Sequence, residues 1–156
     1  MAKVYELYDR DFVLWTEEQG AALRRAKDSN LPLDWENLAE EIESLGKSQR
    51  AVLNSQIRRI LRHLLKLAAS PASDPRAGWR ATIRDARAEI EELLETSPSL
   101  RREVSEVIKK QTAAAAKLAG DDLESFGEPA ADITTRLEHG FSADEVLGDW
   151  FPDQPG

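Results

Sequence analysis

Cysteine is absent from the chain, which excludes disulfides and thiolate metal sites and permits a reducing compartment. No apolar run approaches the roughly 18 residues of a membrane span. Residues 1–11 turn acidic early and hold no apolar core, so they do not read as a secretion signal. The expected place is the cytoplasm, with no membrane contact. There is no excess of positive charge either: the net charge is −8. Residues 1–119 hold nineteen acids against twenty bases, whereas residues 120–156 hold ten acids against Arg136 alone. A neutral body with an acidic tail lacks the basic footprint that a nucleic-acid partner requires. No Gly-x-Ser-x-Gly elbow and no glycine-rich phosphate loop occurs, so nucleophilic and phosphate-cradling chemistry has no motif to stand on.

What is present is helical periodicity. In residues 34–67, Trp35, Leu38, Ile42, Leu45, Gln49, Val52 and Gln56 recur at alternating steps of three and four. Leu53, Ile57, Ile60, Leu64 and Leu67 continue that alternation. The pattern predicts one amphipathic helix about 50 Å long, interrupted at Gly46. A shorter helix starts near residues 8–11 behind an aspartate cap and runs to about Lys27, burying Phe12, Trp15, Gln19, Ala22, Leu23 and Ala26. A third runs from about Arg76 to Glu95. A fourth starts with Ser97 as cap and Pro98 as first helical residue, and stops at Gly120. Residues 131–139 form a short helix, and the Ser142–Glu145 spacing is a capping box that opens another. Trp150, Phe151 and Pro152 dock on the body, and residues 154–156 fray. Short turns make sequential helices antiparallel neighbours. The expected fold is all-α: an up-down helical bundle of about four main helices with short C-terminal helices. It is one domain over 1–156, with a bundle core in 1–119 and an acidic strap in 120–156.

Four segments carry a family resemblance: N-L-A-E-E-I-E-S-L-G at 37–46, H-L-L-K-L at 63–67, G-W-R-A-T-I at 78–83 and S-P-S-L at 97–100. With Tyr8, Asp11, Phe12 and Trp15 ahead of them, they resemble the bacterial domain-of-unknown-function 29 family over nearly the whole chain, departing from it around residues 128–131. The resemblance implies a mostly helical protein and no particular activity.

The candidate site residues come from the wheel positions. Glu41 flanks the apolar stripe of the long helix, with Ser48, Ser55, Arg59 and Lys66 near the same meridian, which predicts a polar seam between helices. Glu40 points away from the stripe. His63 lies at the stripe's edge and is expected beside Trp79, Thr82 and Ile83. Arg76, Arg80, Arg84 and Arg87 line one flank of the third helix and suit either the acidic tail or an anion. Asp85, Glu89 and Glu92 line the other flank and are expected to face Arg58, Arg59 and Arg62. Glu41, His63, Lys66, Arg80, Arg84 and Arg87 are therefore the candidate binding residues. No cofactor and no metal is expected, and the sequence favours a non-enzymatic interaction or regulatory module with a protein partner. The alternative is a metal-dependent hydrolase of the all-α nucleotide pyrophosphohydrolase type, holding Mg²⁺ through glutamates such as Glu41, Glu89 and Glu103.

Overall fold

The protein's computed structural model describes residues 4–128, 133, 136–137 and 139–155, with Val4 and Tyr5 described by backbone alone. These residues form six α-helices and no strand. They are α1 (Val4–Arg10), α2 (Phe12–Arg25), α3 (Trp35–Ala69), α4 (Arg76–Thr96), α5 (Val104–Ser125) and α6 (Ala143–Leu147). Short 3₁₀ turns follow α2 (Ala26–Asp28) and precede α5 (Pro98–Glu103). The all-α expectation holds, and no helix among the described residues is long and apolar enough to cross a membrane. The short helix expected over residues 131–139 lies largely outside the described residues.

Local signals explain most of the boundaries. Asp11 caps α2 by accepting the Leu14 amide at 2.9 Å, and Asp34 accepts the Asn37 amide at the start of α3. Ser142 and Glu145 form the capping box of α6. Three expectations are corrected. Gly46 does not interrupt α3, which is one helix of 35 residues. Gly120 does not end α5, because Asp122 and Leu123 beyond it are held by packing: Leu123 is buried and Asp122 is paired to α3. Ser97 does precede a helical run that begins at Pro98, but that run opens as a 3₁₀ turn before α5 and the Ser97 side chain bonds elsewhere. Its hydroxyl accepts the Val13 amide at 3.1 Å, in the first turn of α2.

The chain divides into two compact units, Met1–Val52 with Glu92–Arg102, and Leu53–Glu91 with Glu103–Gly156. In the first unit α2 and the leading half of α3 run antiparallel. Arg24 of α2 binds Glu36 and Glu43, and Glu17 binds Arg50. The two helices touch through small residues. Gly20 lies so close to α3 that an added Cβ would come within 2.6 Å of Glu43 Cγ, and one on Gly46 would overlap Thr16 Oγ1. Ala39 and Val13 are fully buried in the same seam. The 3₁₀ turn is pinned to the start of α2 twice over: Ser99 donates its amide (2.7 Å) and hydroxyl (3.0 Å) to Asp11.

In the second unit the trailing half of α3 runs antiparallel to α4, with Gln56 donating to Glu89 and Lys66 over Trp79. It runs parallel to α5, with Arg58 on Gln111 and Arg62 on Asp122. Its core is aliphatic and dense: Ile57, Ile60, Leu61, Leu64, Leu65, Ile83 and Ile90 are all fully or almost fully buried. The C-terminal segment docks as expected, with Phe151 against α4 and Pro152 buried. Gln154 is not frayed, since its side-chain amide donates to the Pro71 carbonyl at 2.7 Å.

Candidate functional site

Most of the residues singled out from the sequence fall in the second unit. Lys66 is buried, its ammonium 3.0 Å from Asp122 and 5.0 Å from the centre of the Trp79 ring. Arg62 closes on the same carboxylate with two bonds of 2.6 and 2.7 Å. Those bonds, opposed by desolvation and reinforced by Lys66, hold the Asp122 carboxyl at about 2. Burial lowers the Lys66 ammonium, with Asp122 acting against that shift. His63 is half-buried and its Nδ1 bonds the Arg59 carbonyl at 2.8 Å. Burial lowers its pKa, and the neighbouring Lys66 and Arg62 add to that. The cation on Trp79 is thus Lys66, where the sequence placed His63. An amino group four methylenes long reaches across to α4, while an imidazole one turn earlier folds back onto its own helix.

The arginine flank of α4 is occupied. Arg80, Arg84 and Arg87 surround the Phe151 ring at 5.9, 5.2 and 4.9 Å, within cation–π range. Buried Arg87 also donates to the carbonyls of Val146, Glu145 and Trp150 at 2.7–2.9 Å. Arg76 donates to the Leu67 and Ser70 carbonyls and so closes the C-terminal end of α3. The strap covers Arg80, Arg84 and Arg87 with a ring and with backbone carbonyls, where the sequence reading had offered its acidic side chains. The other flank is also corrected: Glu89 meets Gln56, while Arg58 and Arg62 turn to α5. A pocket of about 460 Å³ adjoins Trp79, walled by Pro75, Leu123, Phe126 and the carboxylates of Asp74 and Glu128. None of the candidate binding residues lines it.

The glutamates of the hydrolase alternative do not gather. Among the described residues no three His, Asp or Glu side chains could hold a metal ion together. Glu41 is exposed on α3, and Glu89 serves Gln56. Of the polar seam expected at Glu41, Ser48, Ser55, Arg59 and Lys66, only Lys66 is buried between helices, paired to Asp122, while the other four are exposed.

The first unit holds a surface that the sequence reading assigned to the core. Leu38, Leu45 and Val52 stand 40%, 48% and 40% exposed. Trp35, Ile42 and Gln49, which alternate with them, are half-buried. Because α2 meets α3 through Gly20, Thr16, Ala39 and Gly46, the large side chains are left to one side of the contact. The ion pairs of Arg24 and Arg50 mark the opposite side. Arg24 there holds the Glu43 carboxyl below the usual carboxylate range through their hydrogen bond. Phe12, Trp15, Gln19 and Ala22 of α2, and Ala26 just beyond it, are half-buried. Tyr8 meets Phe12 and Trp15 edge-on at 5.8 and 4.9 Å, and is 51% exposed. The spacing of the stripe was legible in the sequence, but its exposure was not.

This face is poor in charge. Residues 35–52 contain six charged side chains. Glu36, Glu43 and Arg50 engage α2, and Glu40 and Lys47 lie on the back of the helix from the stripe at 100° per residue. Only Glu41 borders the stripe. The row itself is thus apolar, bordered by a single carboxylate.

The comparisons agree with the helical fold and add no chemistry. No curated protein matches the chain. An alpha-helical protein of unknown function from Rhodospirillum rubrum, solved by crystallography, is similar in structure, with a TM-score of 0.69 and 25% identity over 95% of this chain and 91% of that one. Residues 7–151 match the family described as "Domain of unknown function DUF29", and the chain belongs to that family.

Proposed function

We propose that this protein is a non-enzymatic helical interaction module whose working surface is the apolar face of α3 between Trp35 and Val52. The observation that carries this is the exposure of Leu38, Leu45 and Val52 in one row, seven residues apart, on a helix whose other faces are satisfied. Folding leaves these three aliphatic side chains partly in water, whereas a partner helix laid along them would desolvate all three. The second unit, with its dense aliphatic core, supplies stability. Several of its buried polar groups hold that fold together: Lys66 on Asp122, one Arg76 nitrogen on carbonyls, Arg87 on the strap.

A photo-crosslinking residue at position 45 tests this in cells that naturally hold the protein. Leu45→benzoylphenylalanine is expected to give discrete protein adducts. The same residue at Glu18, exposed on α2, gives none. Equal labelling at both positions, or no adduct at position 45, would overturn the reading.

A further inference from the structure

We propose that the pocket beside Trp79 binds a small organic amine, a protonated nitrogen carried on an apolar body. The site lies within the second unit and is independent of the α3 face. Two turns build it. The first is the end of α5, where the Gly127 amide donates to the Glu124 carbonyl at 3.0 Å and the Glu128 amide to the Leu123 carbonyl at 2.9 Å. Gly127 takes a φ of 76°, and nothing lies within 4 Å of the place its Cβ would occupy, so conformation alone calls for glycine there. This cap turns the chain so that Phe126 and Glu128 join buried Leu123 on the pocket wall. The second is the turn after α3. Buried Ser70 donates its hydroxyl to Glu128 Oε1 at 3.0 Å and accepts the Ala72 amide at 3.1 Å, and Pro75 and Trp79 continue the wall.

Size, wall and charge select the ligand. A cavity of about 460 Å³ falls in the range that holds small molecules. Its charged lining groups are the carboxylates of Asp74 and Glu128, and among the described residues no basic side chain lines it. Phe126 is 78% exposed, a large ring left in water that a ligand in the pocket would cover. Glu128 is half satisfied. Its Oε2 is withdrawn from water and has no hydrogen-bond partner among the described residues, a costly state for a carboxylate oxygen. An ammonium in the pocket supplies both the donor and the counter-charge, and the Trp79 and Phe126 rings suit a cation. Neighbouring Lys66, 5.0 Å from the centre of the Trp79 ring, is bound to Asp122. Arg76 is buried and not on the wall, with Nη1 on the Leu67 and Ser70 carbonyls. Its Nε and Nη2 lack partners among the described residues and would favour an anion, so the charge of the ligand is the point to test.

The test uses the full chain and three probes that share one apolar body: phenylbutylamine, phenylbutanol and phenylbutyrate. Calorimetric titration at neutral pH is expected to show saturable one-site binding of the amine with a Kd below about 1 mM, and binding of the alcohol and the carboxylate at least about tenfold weaker. Glu128→Gln keeps an acceptor for Ser70 and removes the charge, so the affinity for the amine should fall about tenfold or more. Glu91→Gln makes the same change of charge on an exposed residue of α4 and should leave it unchanged. Phe126→Ala, at a position folding leaves exposed, serves as the second variant if Glu128→Gln does not fold, and should weaken the amine about threefold. Equal binding of the three probes would overturn the proposal, since the pocket would then read only the apolar body. Tighter binding of the carboxylate would also overturn it and assign the pocket to Arg76. So would amine binding indifferent to both Glu128→Gln and Phe126→Ala, or no amine binding up to about 10 mM. None of these outcomes bears on the crosslinking at position 45.

Discussion

The two units bury very different things with the same helix. In the trailing half of α3, Leu53, Ile57, Ile60, Leu64 and Leu67 are all at 1% exposure or less. In the leading half, the equally regular row of Leu38, Leu45 and Val52 is at 40% or more. The difference lies in the neighbours. Around residues 53–69, α4 and α5 lie on the apolar side, joined by Trp79, Gln111 and Asp122. Around residues 35–52, α2 packs beside the stripe, drawn to Ala39 and Gly46, where the backbones approach closely. One amphipathic pattern therefore forms a core in one place and a partly exposed apolar row in the other.

The sharpest way to break that comparison is to truncate one leucine in each unit. Leu64→Ala removes a fully buried side chain from the second unit and should cost about 2–5 kcal/mol in denaturant unfolding. Leu45→Ala, at submicromolar protein where association is negligible, should change stability by less than about 0.5 kcal/mol. If the two losses are similar, Leu45 is a core residue and the leading half of α3 is not an open surface.

The first unit's seam offers a smaller but more specific test. A methyl at Gly46 would overlap Thr16 Oγ1, while Thr16 Cβ stands at an ordinary 3.5 Å from the same point. Gly46→Ala gains roughly 0.5–1 kcal/mol of helix propensity and loses typically 1–3 kcal/mol to overpacking. A net loss of about 1 kcal/mol is expected. In a Thr16→Ala background the overlap disappears, so the same substitution should become neutral or stabilising. An equal loss in both backgrounds would mean that Gly46 is needed for something other than its contact with Thr16.

These cases show why some of the architecture was legible in the sequence. Caps and turns are local chemistry: Asp11, Asp34, the Ser142–Glu145 box and the prolines at 71 and 75 act within a few residues, and helix ends follow from them. The apolar period of α3 is local too. Which side of that period is covered depends on residues far along the chain, and no spacing within 35–52 records that α2 would dock on glycines. Gly46 was read as an interruption because glycine weakens a helix in isolation. In the folded protein it is the point of closest approach. The arginines of α4 carried a visible stripe, but their partners are a ring and carbonyls 60 residues onward, and carbonyls leave no mark in a sequence. The helix α1, seven residues long, is too short for periodicity to reveal.

The remaining contrast is in acid response. In the second unit two partly buried groups titrate below neutrality. Burial depresses the His63 imidazole below 6.5, so the unfolded chain takes up that proton first, and stability falls as pH drops through the unfolded value. The carboxyl of Asp122 sits at about 2 against an ordinary 3.8, held there by Arg62 and Lys66. Its contribution is complete above about pH 4 and is lost between about pH 4 and 2. With a fifth of the side chain exposed, about 1–2 kcal/mol is a fair size after solvent screening. In the first unit Glu43 is also depressed by Arg24, but that pair is open to water and should add little of its own. Unfolding curves from pH 7 to 2 separate these. Asp122→Asn should start less stable than the unmodified chain and converge with it as pH approaches 2. His63→Gln should remove only the step below 6.5, and Arg24→Gln should run nearly parallel throughout. If Asp122→Asn runs parallel and Arg24→Gln converges, the acid-sensitive ion pair belongs to the first unit, and the assignment of stability to the second is wrong.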